Sequence, residues 1–364
     1  MNATCPSFRL GHRPALDGLR GIAILLVLAN HGGWLGDYAG FAGVNTFFVL
    51  SGFLITCLLV GEYDQTGRIS FRQFYLRRAL RLLPALVAML LLFVAFSWAM
   101  DPPKRALREL YEALVALFYF SNWAGIYHLG RHISLAHTWS LSVEEQFYIL
   151  WPVLLLFLLG RNSRPSLLCW IVLGVFLSVL VRIGLFVGAT TTVAGNVFPV
   201  ASDRLLTGTD CRADSLLLGC LAGGLISSNL LPRRAWFERS LHGAALASAA
   251  GLAALGFGWF LSPFMVCAGW LLASIFVMVI ILQLLSATRG PLHWVLENRG
   301  LVFTGRISYG LYVWHFPILK AMEQHHWPTQ NMRYLALAVP AALLSYYVIE
   351  RPFLRLKQRH QVVQ

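Results

Sequence analysis

Charge is what this sequence has least of. Only 12% of its 364 residues are Asp, Glu, Lys or Arg, about half the share a soluble domain carries. With 57% hydrophobic residues in apolar runs that follow one another from end to end, that scarcity excludes a soluble globule and implies a polytopic membrane protein. Acidic residues are the scarcer kind, 16 against 29 Lys and Arg, for a formal net charge of +13. No nucleic-acid partner is implied, because the bases sit in short loops between apolar spans, where the positive-inside rule accounts for them. Cysteine is sparse too: the six residues are scattered, with no CxxC and no His-rich spacing, so neither a metal nor redox chemistry is expected. There is no internal repeat, no low-complexity tract and no cleavable signal peptide. The first apolar run follows Arg9, Arg13 and Arg20 without a small-residue cleavage site and is expected to stay as a helix.

The apolar runs predict an all-α bundle of about ten transmembrane helices, at about 18–36, 41–60, 82–100, 140–159, 166–188, 213–228, 242–261, 264–285, 307–323 and 333–349. Segment 105–122 could be an eleventh, and charge decides against it. Ten spans put twenty of the 29 Lys and Arg residues in cytoplasmic pieces, whereas an eleventh would turn the last twelve of those outward. Segment 105–122, with Glu109 and Glu112 near its start, is therefore read as an outer-face or re-entrant helix. The expectation is one multi-pass domain over 1–364 in the inner (plasma) membrane. Both termini are then cytoplasmic, with tails at about 1–15 and 351–364 and no fused soluble domain.

A charged group inside a bilayer is costly unless paired or wetted, so each one is a candidate for function. Arg20 and His31 bracket a nearly all-apolar stretch in LRGIAILLVLANH. At 100° per residue their eleven steps bring them to one helix face, roughly 16 Å apart. With Arg20 at the inner edge, His31 falls near the midplane. YLRRALRLLP adds Arg77, Arg78 and Arg81 at the inner end of the third span. Such a cluster either orients the helix and binds anionic lipid, or clamps phosphate through guanidinium forks. HTWSLSVEEQFYILWP, residues 137–152, carries Glu144 and Glu145 roughly 8–10 Å inward from the outer surface. One reading of His31 by itself is a cross-helix hydrogen bond only. A carboxylate on one ring nitrogen would make it a base able to take a proton from an alcohol. GRISYGLYVWHFP contributes Tyr309 and His315, and TDCRADSLLLG contributes Asp210, Arg212 and Asp214 at an outer mouth. For these, a structural network and a substrate-binding role stand level. Arg182 is expected to snorkel to the outer interface, and the Ser51–Gly52 step to allow close helix packing.

Taken together and in order, LDGLRGIAILLVLANH, GVNTFFVLSGFLIT, RRALRLLPAL, HTWSLSVEEQFYILWP, RADSLLLG, ISYGLYVWHFP and ERPF resemble the membrane-bound acyltransferase-3 family, which includes polysaccharide O-acetyltransferases. The stretches run from residue 16 to 353. The resemblance implies a ten-helix bundle that moves an acyl group, usually acetyl, from cytoplasmic acyl-coenzyme A to a hydroxyl. Acceptors in such a family are glycans, lipid-linked sugars or secondary metabolites. It implies Arg20, Arg77, Arg78 and Arg81 as the donor-binding cations, and His31 with Glu144 or Glu145 as the catalytic set. Asn45 departs from the aspartate that many members carry there. A transporter using the same buried charges is the alternative reading.

Overall fold

The computed structural model describes residues 11–130, 133–188, 190–193, 196–199, 202–232, 234–258, 260–287, 289–329 and 332–359. The chain is helical throughout this range except for one antiparallel hairpin, β1 (Thr190–Val193) with β2 (Asn196–Pro199), in register Thr190 to Pro199. The elements that frame the site are α1 (Pro14–His31), α2 (Asp37–Thr66), α3 (Phe71–Met100), α4 (Pro103–Leu117), α5 (Ser121–Ile126), α6 (Trp139–Arg161) and α7 (Arg164–Gly188). After the hairpin come α8 (Ser202–Thr207), α9 (Thr209–Ser227), α10 (Ala235–Leu255), α11 (Trp270–Ser286), α12 (Pro291–Leu296), α13 (Arg299–Arg306), α14 (Ser308–Gln324), α15 (Leu335–Leu344) and α16 (Arg351–Arg359). Wider π-type turns over Met265–Gly269 and Ser345–Glu350 lead into α11 and join α15 to α16.

Six helical segments are long and apolar enough to cross a membrane: Asp37–Thr66, Phe71–Met100, Ala136–Arg161, Arg164–Gly188, Met265–Ser286 and Leu335–Leu356. The protein is a multi-pass membrane protein. Four more expected spans fall on α1, α9, α10 and α14; Arg20, the Asp210–Asp214 cluster and the first turns of α10 interrupt the apolar pattern of the first three, and α14 is shorter, at 17 residues. The expected span at 242–261 begins earlier, since α10 covers Ala235–Leu255.

The centre of the bundle is α2, which packs most extensively on α9 and also on α1. The reason is the missing side chains. A Cβ at Gly52 would collide with the Leu216 carbonyl, and one at Gly219 with the Val49 carbonyl. The two backbones therefore touch, as the Ser51–Gly52 step led us to expect. Lipid-facing residues such as Leu91, Leu150, Phe157 and Phe176 line the outer faces of α3, α6 and α7.

Segment 105–122 is not among these six apolar segments. Its helix α4 has 15 residues, about 22 Å at 1.5 Å per residue against a core of ~30 Å. It turns its carboxylates inward: Glu109 and Glu112 are buried while Leu107 and Leu114 are exposed. Glu112 accepts the backbone N–H groups of Ile133, Ser134 and Leu135 at 3.2, 3.0 and 3.0 Å. Burial pushes its carboxyl above the usual range, against the pull of those three donors. The carboxylate thus ties down the loop that feeds the single 3-10 turn Ala136–Thr138, which carries His137 into α6.

Candidate active site

Two helices build the centre. His31 is the last residue of α1, and His315 lies near the middle of α14. Their rings are nearly parallel, 18° apart, and the His31 Nδ1 to His315 Nε2 distance is 2.9 Å. The proton positions follow from the partners. His315 Nδ1 faces two carbonyls, Leu311 at 2.9 Å and Tyr312 at 2.8 Å. A carbonyl only accepts, so this nitrogen carries the proton and His315 Nε2 is left with its lone pair. His31 Nδ1 must then donate to it. That leaves His31 Nε2 as a bare acceptor, held in one tautomer and one orientation.

His31 was expected near the midplane of a longer helix; instead α1 ends there and the chain turns away over Gly32–Gly36. From His315, α14 continues to Gln324, about 14 Å further at helical rise. Phe316 meets His31 edge-on at 4.8 Å, and Lys320, one turn beyond, lies 5.3 Å over Phe316 and 2.7 Å from Glu323.

The carboxylates expected beside His31 have other partners. Glu144 accepts from Ser51 Oγ at 3.1 Å and from the Tyr148 hydroxyl at 3.5 Å. Glu145 pairs with Arg78 at 3.3 Å. The orienting group on His31 is His315, a residue expected at the substrate, and the glutamates serve the arginine cluster. The physical reason is direction. The face of α6 that bears both glutamates looks toward Ser51 on α2 and Arg78 on α3, away from the end of α1.

All four expected donor-binding arginines do converge. Arg20, Arg77, Arg78 and Arg81 line one cavity of about 120 Å³ together with Ser51, Glu144, Tyr148, Ser308 and Tyr309. Arg77 is paired with Glu62 at 3.3 Å, and Arg78 stacks 3.2 Å from the centre of the Tyr148 ring while holding Glu145. Arg20 only reaches Ser308 Oγ at 3.5 Å, and among the described residues neither Arg20 nor Arg81 is in an ion pair. Glu144 shares the cavity, yet two guanidiniums outside any ion pair leave its wall cationic and fit an anionic ligand such as a phosphate. Tyr309 is a wall of this cavity, its hydroxyl donating to the Leu82 carbonyl at 2.6 Å.

Two residues the sequence reading passed over join the halves. Tyr312 lines the arginine cavity, and its ring also lies 5.6 Å from that of His315. Its hydroxyl is 2.6 Å from Ser140 Oγ and donates to the His137 carbonyl at 2.8 Å. Tyr312 is thus the wall between cavity and histidines. His137 is buried 5.5 Å from the His315 ring, and among the described residues its ring nitrogens meet no partner in good hydrogen-bond geometry. A signal for Tyr312 existed: Ser308, Tyr312 and His315 follow the i, i+4, i+7 pattern of one helix face.

The remaining candidates lie elsewhere. Asp210 is held by Arg204 through Nη2 at 2.6 Å and Nε at 3.2 Å. Asp214 and Arg212 are fully buried between α2, α7, α9 and α11, in a network and not at an open mouth. Arg182 does not snorkel; it is fully buried and bonds Asp214 at 2.7 Å. Of segments 189–210 and 324–332, residues 189, 194, 195, 200, 201, 330 and 331 lie outside the described residues.

Fold and site together define a helical multi-pass membrane protein with a cationic cavity on one side of a tyrosine wall and an oriented histidine on the other. Residues 13–350 match the acyltransferase domain family, and the chain belongs to it. It is similar to the peptidoglycan O-acetyltransferase OatA of Listeria monocytogenes, 33% identical over 360 residues that cover 93% of this chain and 55% of that protein. It is also similar to the O-acetyltransferase OatA of Staphylococcus aureus, 30% identical over 93% of this chain and 57% of that protein. The chain thus spans little more than half the length of these relatives. No solved structure matches.

Proposed function

We propose that this chain is a membrane O-acyltransferase that moves an acyl group, acetyl in the first instance, from cytoplasmic acyl-coenzyme A to a hydroxyl of a cell-envelope glycan. The observation that carries the reading is the proton order Leu311/Tyr312 carbonyl, His315, His31, which leaves His31 Nε2 as a positioned base. The relatives' printed activities support the O-acetyl transfer and the glycan acceptor.

In this reading ten helices span the inner membrane with both termini inside, so that the arginine cavity opens to the cytoplasm and the acceptor reaches His31 from the outer side. Arg20 and Arg81, with Arg77 and Arg78 beside them, hold the donor's phosphates. The donor supplies a thioester, whose acyl carbon is the electrophile. Tyr312 swings away from Ser140 and His137 to let the acyl end through. His31 Nε2 takes the proton of the acceptor hydroxyl as its oxygen bonds to the acyl carbon. The carbon–sulfur bond then breaks, and the imidazolium returns the proton to the leaving thiolate. His315 stabilises the transient charge by accepting from His31 Nδ1 throughout. General-base catalysis of this kind contributes about 10²–10⁴-fold.

The test is incubation of the purified chain in proteoliposomes with acetyl-coenzyme A labelled in the acetyl group and fractionated cell envelope. Label should enter a glycan fraction, and His31→Ala should abolish the transfer while donor binding persists. Label that stays on coenzyme A with every fraction, or normal transfer by His31→Ala, defeats the proposal.

A further inference from the structure

Away from the site just described, α2, α7, α9 and α11 enclose a polar knot in which Arg182, Arg212, Asp214, Asn45, Ser215, Ser274 and Trp270 are each exposed by 1% or less. Its charges do not balance. Arg182 takes Asp214 at 2.7 Å and the carbonyls of Val266 and Cys211 at 2.9 and 3.0 Å. Arg212 finds no carboxylate: its Nη2 donates at 2.7 Å to the side-chain oxygen of Asn45, a neutral group that also accepts from Ser215 Oγ at 2.8 Å. Among the described residues the knot therefore holds two guanidiniums and one carboxylate, a buried excess of one positive charge. Arginine does not shed its proton to escape, and an uncompensated buried ion costs several kcal/mol.

The donors are unbalanced in the same place. Arg212 Nε, Arg212 Nη1, Arg182 Nη2 and Trp270 Nε1 are all buried with no acceptor. They belong to groups that surround one ring. Arg182 and Arg212 each lie with their guanidinium carbon 5.7 Å from the Trp270 ring centre. The faces of Arg212 are covered by Phe41 at 4.2 Å and Phe48 at 5.6 Å, so only its edge is free to bond. A water molecule would satisfy some of these N–H groups and leave the charge. A small anion answers both deficits at once.

We infer that this knot is a binding site for a single halide-sized anion, chloride under physiological conditions, held by the edges of Arg212 and Arg182 and by the Trp270 indole N–H. The ligand supplies the counter-charge that a carboxylate at position 45 would have provided. The site is independent of the acyl-transfer reading and tests apart from it. Its role is to join α2, α7, α9 and α11 electrostatically at the end of the bundle where α9 begins.

The experiment uses the full chain in detergent, with unfolding followed by a thiol-reactive dye that reports exposure of the buried Cys57, Cys211 and Cys220. At fixed pH and ionic strength, replacing gluconate by chloride should raise the midpoint saturably by about 2–5 °C, the size expected for ligand well above its dissociation constant. Asn45→Asp should have the higher midpoint already in gluconate and lose the response. Equal midpoints for the wild type in both salts, or an undiminished response in Asn45→Asp, overturns the inference. If Asn45→Asp does not fold, bromide located by anomalous scattering in wild-type crystals decides. A peak between Arg212 and Trp270 supports the site, and bromide found only elsewhere removes it.

Discussion

Replacing His315 by Phe keeps the ring volume and removes both nitrogens. The structure allows the consequence to be worked out. His31 Nδ1 loses its acceptor at 2.9 Å, while the Leu311 and Tyr312 carbonyls keep their helical partners and lose only the side-chain donor. A donor left unpaired at such a site costs about 1–3 kcal/mol. Because the His31–His315 bond matters most when His31 is charged, that loss falls on the transition state, and 1.36 kcal/mol is tenfold in rate. The His315→Phe variant should therefore turn over about 5- to 150-fold more slowly, with the KM for acetyl-coenzyme A unchanged, since His315 does not line the arginine cavity. His315→Gln supplies an amide oxygen to accept from His31 and should recover most of the loss. The assay is release of free coenzyme A thiol in proteoliposomes supplied with the envelope fraction. Turnover of His315→Phe within twofold of wild type would refute the proton order. So would a His315→Gln variant as slow as His315→Phe.

Arg20→Gln and Arg81→Gln should each raise the KM for donor about 10- to 150-fold, the worth of one charge-assisted contact, with kcat far less affected; titration with acetyl-coenzyme A measures this. Arg78→Gln should behave differently, because it strips the half-buried Glu145 of its partner: a charged group left unpaired there costs about 1–3 kcal/mol, visible as a lower unfolding midpoint in detergent. In Glu112→Ala, the amides of Ile133, Ser134 and Leu135 should exchange hydrogen at least tenfold faster, since their common acceptor is gone. Gly52→Ala should lower stability by about 1–3 kcal/mol, read from thermal unfolding, as its methyl meets the Leu216 backbone.

The site was readable in the sequence wherever one helix alone set the geometry. Arg77, Arg78 and Arg81 lie within two turns of α3, so helical spacing was enough to group them, and the eleven-residue interval from Arg20 to His31 placed both on one face of α1. What a helix faces across the bundle was not readable. Glu144 and Glu145 looked available to His31 by depth, but the rotation of α6 about its own axis points them at Ser51 and Arg78. Depth comes from residue count, whereas azimuth comes from packing against α2 and α3, which no single-helix period encodes. The same limit hid the wall formed by Tyr312 and the burial of Arg182. A lone arginine near a helix end reads as a headgroup anchor until its partner on another helix, Asp214, is known. The outer-face reading of 105–122 rests instead on charge counted over the whole chain.

The tyrosine wall also makes the two halves of the site interdependent. Tyr312 lines the arginine cavity, while its hydroxyl meets Ser140 Oγ and donates to the His137 carbonyl. A ligand that displaces the ring from the cavity side must break those bonds, so occupancy of the cavity is felt beside the histidines without touching them.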